Sequence, residues 1–327
     1  MRLRRAANAS GMKSFRKRLG KFLILTAAFS LPSVFVVGCS RAQPKIVAAA
    51  PQTVPFEFIG QWGMQGEGPG QLNDPVGPAL DGFGRLYFVN RASGFVQKFE
   101  PSGAPLLSFD ADGARRASAL AVDAGGGIYV ANVITGQMRI FFPEGDALRS
   151  FLIPMQRNLE GPVSFSIADD GTVYFPDAAG GRIMALSSMG KLERSWKVPP
   201  PGAGRPSKPT IAAVGPDGYL YVGDSQGDRI LKFTRDGMQI AAWDDSVDGT
   251  APFLGLAVSS NAVFMLRGES PRIVVWTLDG QRRFADNLGG RLDTAPRDAG
   301  SLIVNAAQEL IVLDPSAPRV LRFRIHL

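Results

Sequence analysis

Cysteine and histidine are almost missing: Cys39 and His326 are the only residues of their kinds among 327. One cysteine cannot close an internal disulfide, and one histidine cannot supply the imidazole cluster of the usual zinc enzyme. His326 stands one residue from the C-terminus beside no nucleophile, so a Ser–His–Asp arrangement has nothing to build on, and His326 reads as incidental. A phosphate cradle is missing too, because the glycine-rich stretch Gly66-Glu-Gly-Pro-Gly70 leads into a strand rather than a helix.

Positive charge is scarce outside one segment. Residues 1–38 hold eight Lys and Arg (Arg2, Arg4, Arg5, Lys13, Arg16, Lys17, Arg18 and Lys21) and no acid. Without them the formal +7 of the whole chain becomes 28 basic against 29 acidic groups. A domain so balanced has no excess cation with which to displace counterions from a phosphate backbone, which argues against nucleic acid as a partner.

Only one long apolar run exists, from Phe22 to Val37, and Pro32 interrupts it. It follows the basic stretch Lys13-Ser-Phe-Arg16-Lys17-Arg18 and is too short for a comfortable membrane span. The order is that of an export signal. Val36-Val37-Gly38-Cys39 resembles a bacterial lipoprotein lipobox, with Val37 standing where Ala or Ser is more usual. The resemblance implies cleavage before Cys39 and its lipidation, and Ser40, rather than Asp, implies sorting to an outer membrane where the cell has one. The alternative is an uncleaved signal anchor with an incidental cysteine. A start at Met12 also fits, since the preceding residues add charge without signal logic. Residues 40–55 carry three prolines and no periodic apolar face, which reads as a tether. The expected organisation is a signal peptide over 1–38, a lipidated cysteine and tether over 39–55, and a folded domain over 56–327.

That domain is a repeat. An aromatic or aliphatic lead residue recurs at Tyr87, Tyr129, Tyr174, Tyr221, Phe264 and Ile311, spaced 42, 45, 47, 43 and 47. Twelve positions after each stands Phe99, Phe141, Leu186, Phe233, Trp276 or Phe323. Three positions after each stands Asn90, Asn132, Asp177, Asp224, Arg267 or Asp314, and sixteen after the first five stands Gly103, Gly145, Gly190, Gly237 or Gly280. Turns such as Asp217-Gly218 and Asp279-Gly280 separate short apolar runs, so each unit reads as four antiparallel strands, a propeller blade. Phe109, Phe151, Trp196, Trp243 and Phe284 mark the fourth strands. The sixth unit ends at its third strand, while Phe56–Trp62 precedes the first unit as an orphan. Pairing the two predicts an all-β, six-bladed propeller closed by its N-terminal strand.

Trp62-Gly-Met-Gln-Gly-Glu-Gly-Pro-Gly-Gln-Leu-Asn-Asp-Pro75, with Gly84-Arg-Leu-Tyr-Phe-Val-Asn90 and Val96-Gln-Lys-Phe99, resembles an NHL-repeat blade. Asp224-Ser-Gln-Gly-Asp-Arg229-Ile230-Leu-Lys-Phe233 is similar. Blades five and six depart most from the pattern. The resemblance implies a six-bladed propeller of a group that includes binding scaffolds, RNA-binding domains and metal-dependent lyases and lactonases.

Site residues follow from position. Asn90, Asn132, Asp177, Asp224 and Asp314 recur once per unit, which suits side chains that hold their own turns. Arg182, Arg229, Arg272 and Arg319 recur eight after the lead residue and suit pairing with those Asx groups. Cations that break the repeat, namely Arg91, Arg115, Arg116, Arg157, Arg205, Lys208, Arg267 and Arg297, fall in the loops that converge on one face of a propeller. There they would focus field toward an anionic ligand. Asp244-Asp245 with Asp248 reads as an acidic loop or a weak cation site. The function expected is a lipid-anchored binding module for a protein, peptide or glycan of the cell envelope, in the periplasm or at the outer membrane or cell surface. The alternative is a calcium-dependent hydrolase or lyase similar to the lactonase and streptogramin-lyase propellers, with Ca2+ held by oxygens in the central channel.

Overall fold

The computed structural model describes residues 55–327 except 112–116, 118, 156–163, 203, 245–252, 269–271, 289–300 and 315–316. The chain divides into two units, 1–51 and 52–327, and every described strand belongs to the second.

Short apolar runs broken by Asp–Gly turns become four-stranded antiparallel sheets, six of them among the described residues. After β1 (Phe56–Trp62), the first blade is β2 (Pro75–Leu80), β3 (Leu86–Asn90), β4 (Phe95–Phe99) and β5 (Pro105–Asp110). The second is β6 (Ala119–Val122), β7 (Ile128–Asn132), β8 (Gln137–Phe141) and β9 (Ala147–Leu152). The third is β10 (Ser166–Ile167), β11 (Val173–Asp177), β12 (Arg182–Leu186) and β13 (Leu192–Lys197). The fourth is β14 (Pro209–Val214), β15 (Leu220–Asp224), β16 (Arg229–Phe233) and β17 (Gln239–Asp244). The fifth is β18 (Phe253–Val258), β19 (Val263–Arg267), β20 (Arg272–Trp276) and β21 (Arg282–Asp286). The sixth joins β22 (Ser301–Val304), β23 (Glu309–Asp314) and β24 (Arg319–Ile325) to β1, in the order β22-β23-β24-β1. Phe56 pairs with Ile325 and Trp62 with Val320, so the orphan strand completes the last blade.

The first strands neighbour one another in sequence, and β22 returns to β2, which closes the ring. The protein is therefore an all-β, six-bladed propeller. All six sheets and the closure lie within 56–327.

Burial explains the composition of each strand. The second strands β3, β11, β15 and β19 are buried at every position because both of their faces meet a neighbouring blade. In β3, Tyr87 and Val89 point into the cluster shared with the second blade, while Leu86 and Phe88 point into the one shared with the sixth. Six hydrophobic clusters result, one at each junction. The fourth strands are largely exposed, as in β13, because they form the outer wall.

One contact repeats at the junctions. The glycine after the third strand has a positive φ, between 81° and 97° in Gly103, Gly145, Gly190, Gly237 and Gly280. The aromatic ring of the preceding blade's fourth strand lies against it. A Cβ at Gly103 would stand 2.6 Å from Trp62, at Gly145 2.7 Å from Phe109, at Gly190 2.3 Å from Phe151 and at Gly237 2.5 Å from Trp196. At Gly280 it would meet Trp243 at 2.1 Å. Only glycine satisfies both the backbone and the ring.

Gly237→Ala is expected to destabilise the domain by about 3 kcal/mol, combining left-handed strain with overpacking. Gly218→Ala, at a comparable φ of 82° but facing open space, should cost only about 1 kcal/mol. Urea titration of both variants checks this, and equal losses would refute a junction role for Gly237.

Candidate functional site

In this topology the turns between second and third strands share a face with the connections from each fourth strand to the next blade. This is the loop face; the turns between first and second and between third and fourth strands lie on the opposite, turn face. The Asx groups stand at the loop-face ends of the second strands, and all five are accounted for by hydrogen bonds. Asp177 accepts from Gly180 N at 2.9 Å, Asp314 from Ala317 N at 3.2 Å, and Asn132 from Ile134 and Thr135 N at 3.1 Å, each within its own turn. Asn90 and Asp224 reach farther. Asn90 accepts from Asn73 N and donates to Gln71 O at 2.7 Å, and Asp224 accepts from Lys208 N at 2.7 Å, so each holds the connection arriving from the previous blade.

Arginines complete these clamps. Nε of Arg182, Arg229 and Arg319 donates to Asp177, Asp224 and Asp314 at 2.9, 3.1 and 3.0 Å. Arg182 also donates to Pro154 O, and Arg229 to Pro199 O, both in connections from the preceding blade. Gln97 does the same in the first blade: buried in β4, it donates to Gly68 and Gln71 carbonyls and accepts from Gly70 N at 2.7 Å. Its only sequence signal was a polar residue inside an apolar strand.

The candidate cations fare differently. Arg91 forms a two-point pair with Asp74 at 2.9 and 2.8 Å, and Lys208 is half-buried beside Asp224. Arg205 is exposed and lies near enough to Asp228 to act on its carboxyl. Arg267 requires a correction. Rather than offering charge at the loop face, it is 1% exposed, lies over the Phe253 ring at 5.1 Å and pairs with Asp228 of the fourth blade at 3.2 Å. The fifth blade replaces its Asx with a cation, and a neighbour's Asp supplies the counter-charge. Burial pushes the Asp228 carboxyl above its ordinary value, with Arg267 and Arg205 pulling the other way. Arg115, Arg116, Arg157, Arg297 and Cys39, with Asp245 and Asp248 of the acidic loop, lie outside the described residues.

On the turn face, aspartates receive the hydroxyls of Tyr87 and Tyr221, whereas Tyr174 donates to Arg235 O at 3.4 Å. Tyr87 donates to Asp81 at 2.9 Å and Tyr221 to Asp217 at 2.7 Å. Burial would raise the Asp217 carboxyl, but hydrogen bonds from Lys232, Tyr221 and Tyr219 N hold it below the usual range. Burial and Asp123 push the Tyr129 hydroxyl up to about 12. Where the lead residue lacks a hydroxyl, at Phe264 and Ile311, the turn carries Ser259 and Asn305 instead of Asp.

The axis holds a cavity of about 260 Å³ walled by all six first strands. Its described lining is aliphatic and small, with Phe165 and the hydroxyls of Ser164, Ser166 and Ser301, and includes no carboxylate or imidazole. Among the described residues no three His, Cys, Asp or Glu gather in a metal-binding group. A hard dication would want several carboxylates there, so the described lining does not fit calcium.

No known family model matches this sequence, and no curated protein matches it. Solved structures do resemble it. A streptogramin B lyase is similar at TM-score 0.56 and 14% identity, covering 78% of this chain and 84% of that one. The virginiamycin B lyase of Staphylococcus aureus is similar at 0.56 and 14%, over 83% and 89%. The propeller domain of Myceliophteria thermophila Cps50 (Swd1) is similar at 0.59 and 10%, over 83% and 100%. At such identities the likeness concerns the fold alone.

Removing the Arg267 charge by Arg267→Ala is expected to cost about 3 kcal/mol at pH 7, because Asp228 is left buried and ionised. A carboxyl whose folded pKa exceeds its unfolded value penalises folding at higher pH, and the penalty vanishes as pH falls and the group protonates. The gap between Arg267→Ala and wild type should therefore narrow toward pH 4, while Arg267→Ala/Asp228→Asn should sit close to wild type at both pH values. Denaturant titrations across that range check it; a pH-independent gap would show a packing role for Arg267 and no charge role.

Proposed function

We propose that this propeller is exported, lipid-anchored at Cys39, and acts as a binding scaffold for a protein, peptide or glycan of the cell envelope. The observation that carries the reading is how the loop face is made. Asn90, Asp224, Arg182, Arg229 and Gln97 fasten the interblade connections to the second and third strands, which gives a preorganised surface for recognition. The cations outside the described residues, Arg115, Arg116, Arg157 and Arg297, belong by sequence to the same connections and would favour an anionic partner.

The likeness to the lyases favours a second reading, a metal-dependent lyase or hydrolase. A histidine-to-alanine variant of the S. aureus lyase is described as catalytically inactive. Here the one histidine, His326, is about half exposed, bonds Glu57 of β1 at 3.1 Å and is not part of the channel wall. The scaffold reading is the better supported.

Three measurements separate the two. Residues 40–327 should retain a partner from solubilised envelope extract and lose it when Arg115, Arg116, Arg157 and Arg297 are changed to alanine. The same protein should leave a streptogramin B ring intact with or without added divalent cation, and its melting temperature should not respond to chelation. Ring opening, or a chelator-sensitive melting temperature with an empty capture, would replace the scaffold reading by the enzymatic one. Cys39→Ala should move the protein from the membrane fraction to the soluble one.

A further inference from the structure

The two faces of the ring differ in a way the binding reading leaves unexplained. Twelve large hydrophobic side chains are exposed among the described residues. Met64, Ile134 and Leu152 belong to the loop-face side. The other nine belong to turn-face hairpins, to the residues that open the fourth strands beside them, or to the C-terminus. Phe83 (81% exposed), Phe142 (45%), Met189 (65%) and Met238 (63%) occupy hairpins of the first four blades. Leu106, Leu148, Leu192 and Ile240 follow them at the starts of β5, β9, β13 and β17. None of these side chains is needed for a junction core, and a solvent-facing hairpin ordinarily carries polar residues. Arg85 stacks on Phe83 at 4.7 Å and leaves most of the ring in solvent.

The chain enters the ring on this same face. Phe56 opens β1 opposite Ile325, and His326 N donates to Pro55 O at 2.9 Å, so residue 55 stands where a turn-face hairpin would close the sixth blade. Sixteen residues separate Cys39 from Phe56, a span of at most about 55 Å when fully extended. A lipid at Cys39 would hold the turn face near the bilayer at high effective concentration and leave the loop face outward.

We propose that the turn face docks on the phospholipid surface, with Phe83, Phe142, Met189 and Met238 inserted among the headgroups. The inference rests on the lipid-anchor reading for proximity and on the exposed side chains for contact. Charge adds little, because several cations here are matched by acids and Arg149 rests on Met189 Sδ: Arg194 pairs with Asp236, Arg235 faces Asp169 and Asp170, and Arg324 pairs with Glu57. Docking is apolar, and salt should not release it.

The test uses Cys39 as the sole thiol. Chain 39–327 is coupled through Cys39 to maleimide lipid in phosphatidylcholine vesicles, with or without bromine on the acyl chains. A reporter tryptophan is placed by Phe83→Trp on the turn face or by Gln226→Trp on the loop face. Bromolipid should quench the added emission of Phe83→Trp about two-fold more than that of Gln226→Trp, in low salt and in 1 M NaCl alike. Phe142→Ser, Met189→Ser and Met238→Ser combined should abolish the difference. Equal quenching at both sites overturns the proposal, as does a dimer in sedimentation of the uncoupled chain that the serine variant dissolves, since the occupant is then a second copy. Because coupling is chemical, this result is independent of lipidation in the cell. A failed anchor would show instead as unchanged fractionation of Cys39→Ala.

Discussion

Five of the six junctions in the ring depend on an aromatic side chain of one blade lying on a glycine of the next, and at the sixth Phe284 meets Phe56 ring to ring at 5.7 Å. Each blade is a thin sheet with little core of its own, and its stability comes from the two junctions it shares. The glycines at 103, 145, 190, 237 and 280 let the outer ends of adjacent blades approach, and the rings of Trp62, Phe109, Phe151, Trp196 and Trp243 fill the space that their absent side chains leave. Trp62 shows that closure uses the same device, since β1 presents to Gly103 what each ordinary fourth strand presents to its successor. The ring is thus sealed by the contact that builds it.

Polar residues then divide the labour by face. On the loop face, Asx and Arg side chains run from strand ends to incoming connections; on the turn face, aspartates take tyrosine hydroxyls and, at Asp217, a largely buried lysine. Groups committed in this way have fixed hydrogen-bond partners, which suits holding loops still. The described lining of the axial cavity offers the hydroxyls of Ser164, Ser166 and Ser301 among small aliphatic side chains and no carboxylate or imidazole.

Much of this was legible in the sequence because a propeller repeats. The constant offset of twelve between Tyr87 and Phe99, or Tyr221 and Phe233, measures one hairpin and its register. The orphan Phe56–Trp62 and the truncated sixth unit imply each other. What was not legible was partnership across blades. The repeat glycine and the repeat aromatic were visible separately, yet their contact joins residues of different units. Arg267 misled for the same reason: it breaks its own unit's pattern, and its counter-charge, Asp228, lies 39 positions earlier in the fourth blade. Periodicity reports what each blade shares and is silent on how one blade compensates for another.

Closure through the N-terminal strand sets a constraint on folding. Glu57 and Arg324, which face each other across β1 and β24, lie 267 positions apart. The other ladders join strands that follow each other in sequence and can form locally, whereas the sixth sheet cannot be completed until its last strand exists. Until then the first blade lacks Trp62 at Gly103, the sixth exposes an edge, and the cluster between them, with Leu72 and Phe88 on one side and Ile311 and Leu313 on the other, is open to solvent. The loop-closure penalty rises only slowly with chain length, so it delays this pairing more than it weakens it. β1 is therefore the strand whose ladder waits for the last strand of the chain, and its pairing with β24 is the step that completes the ring.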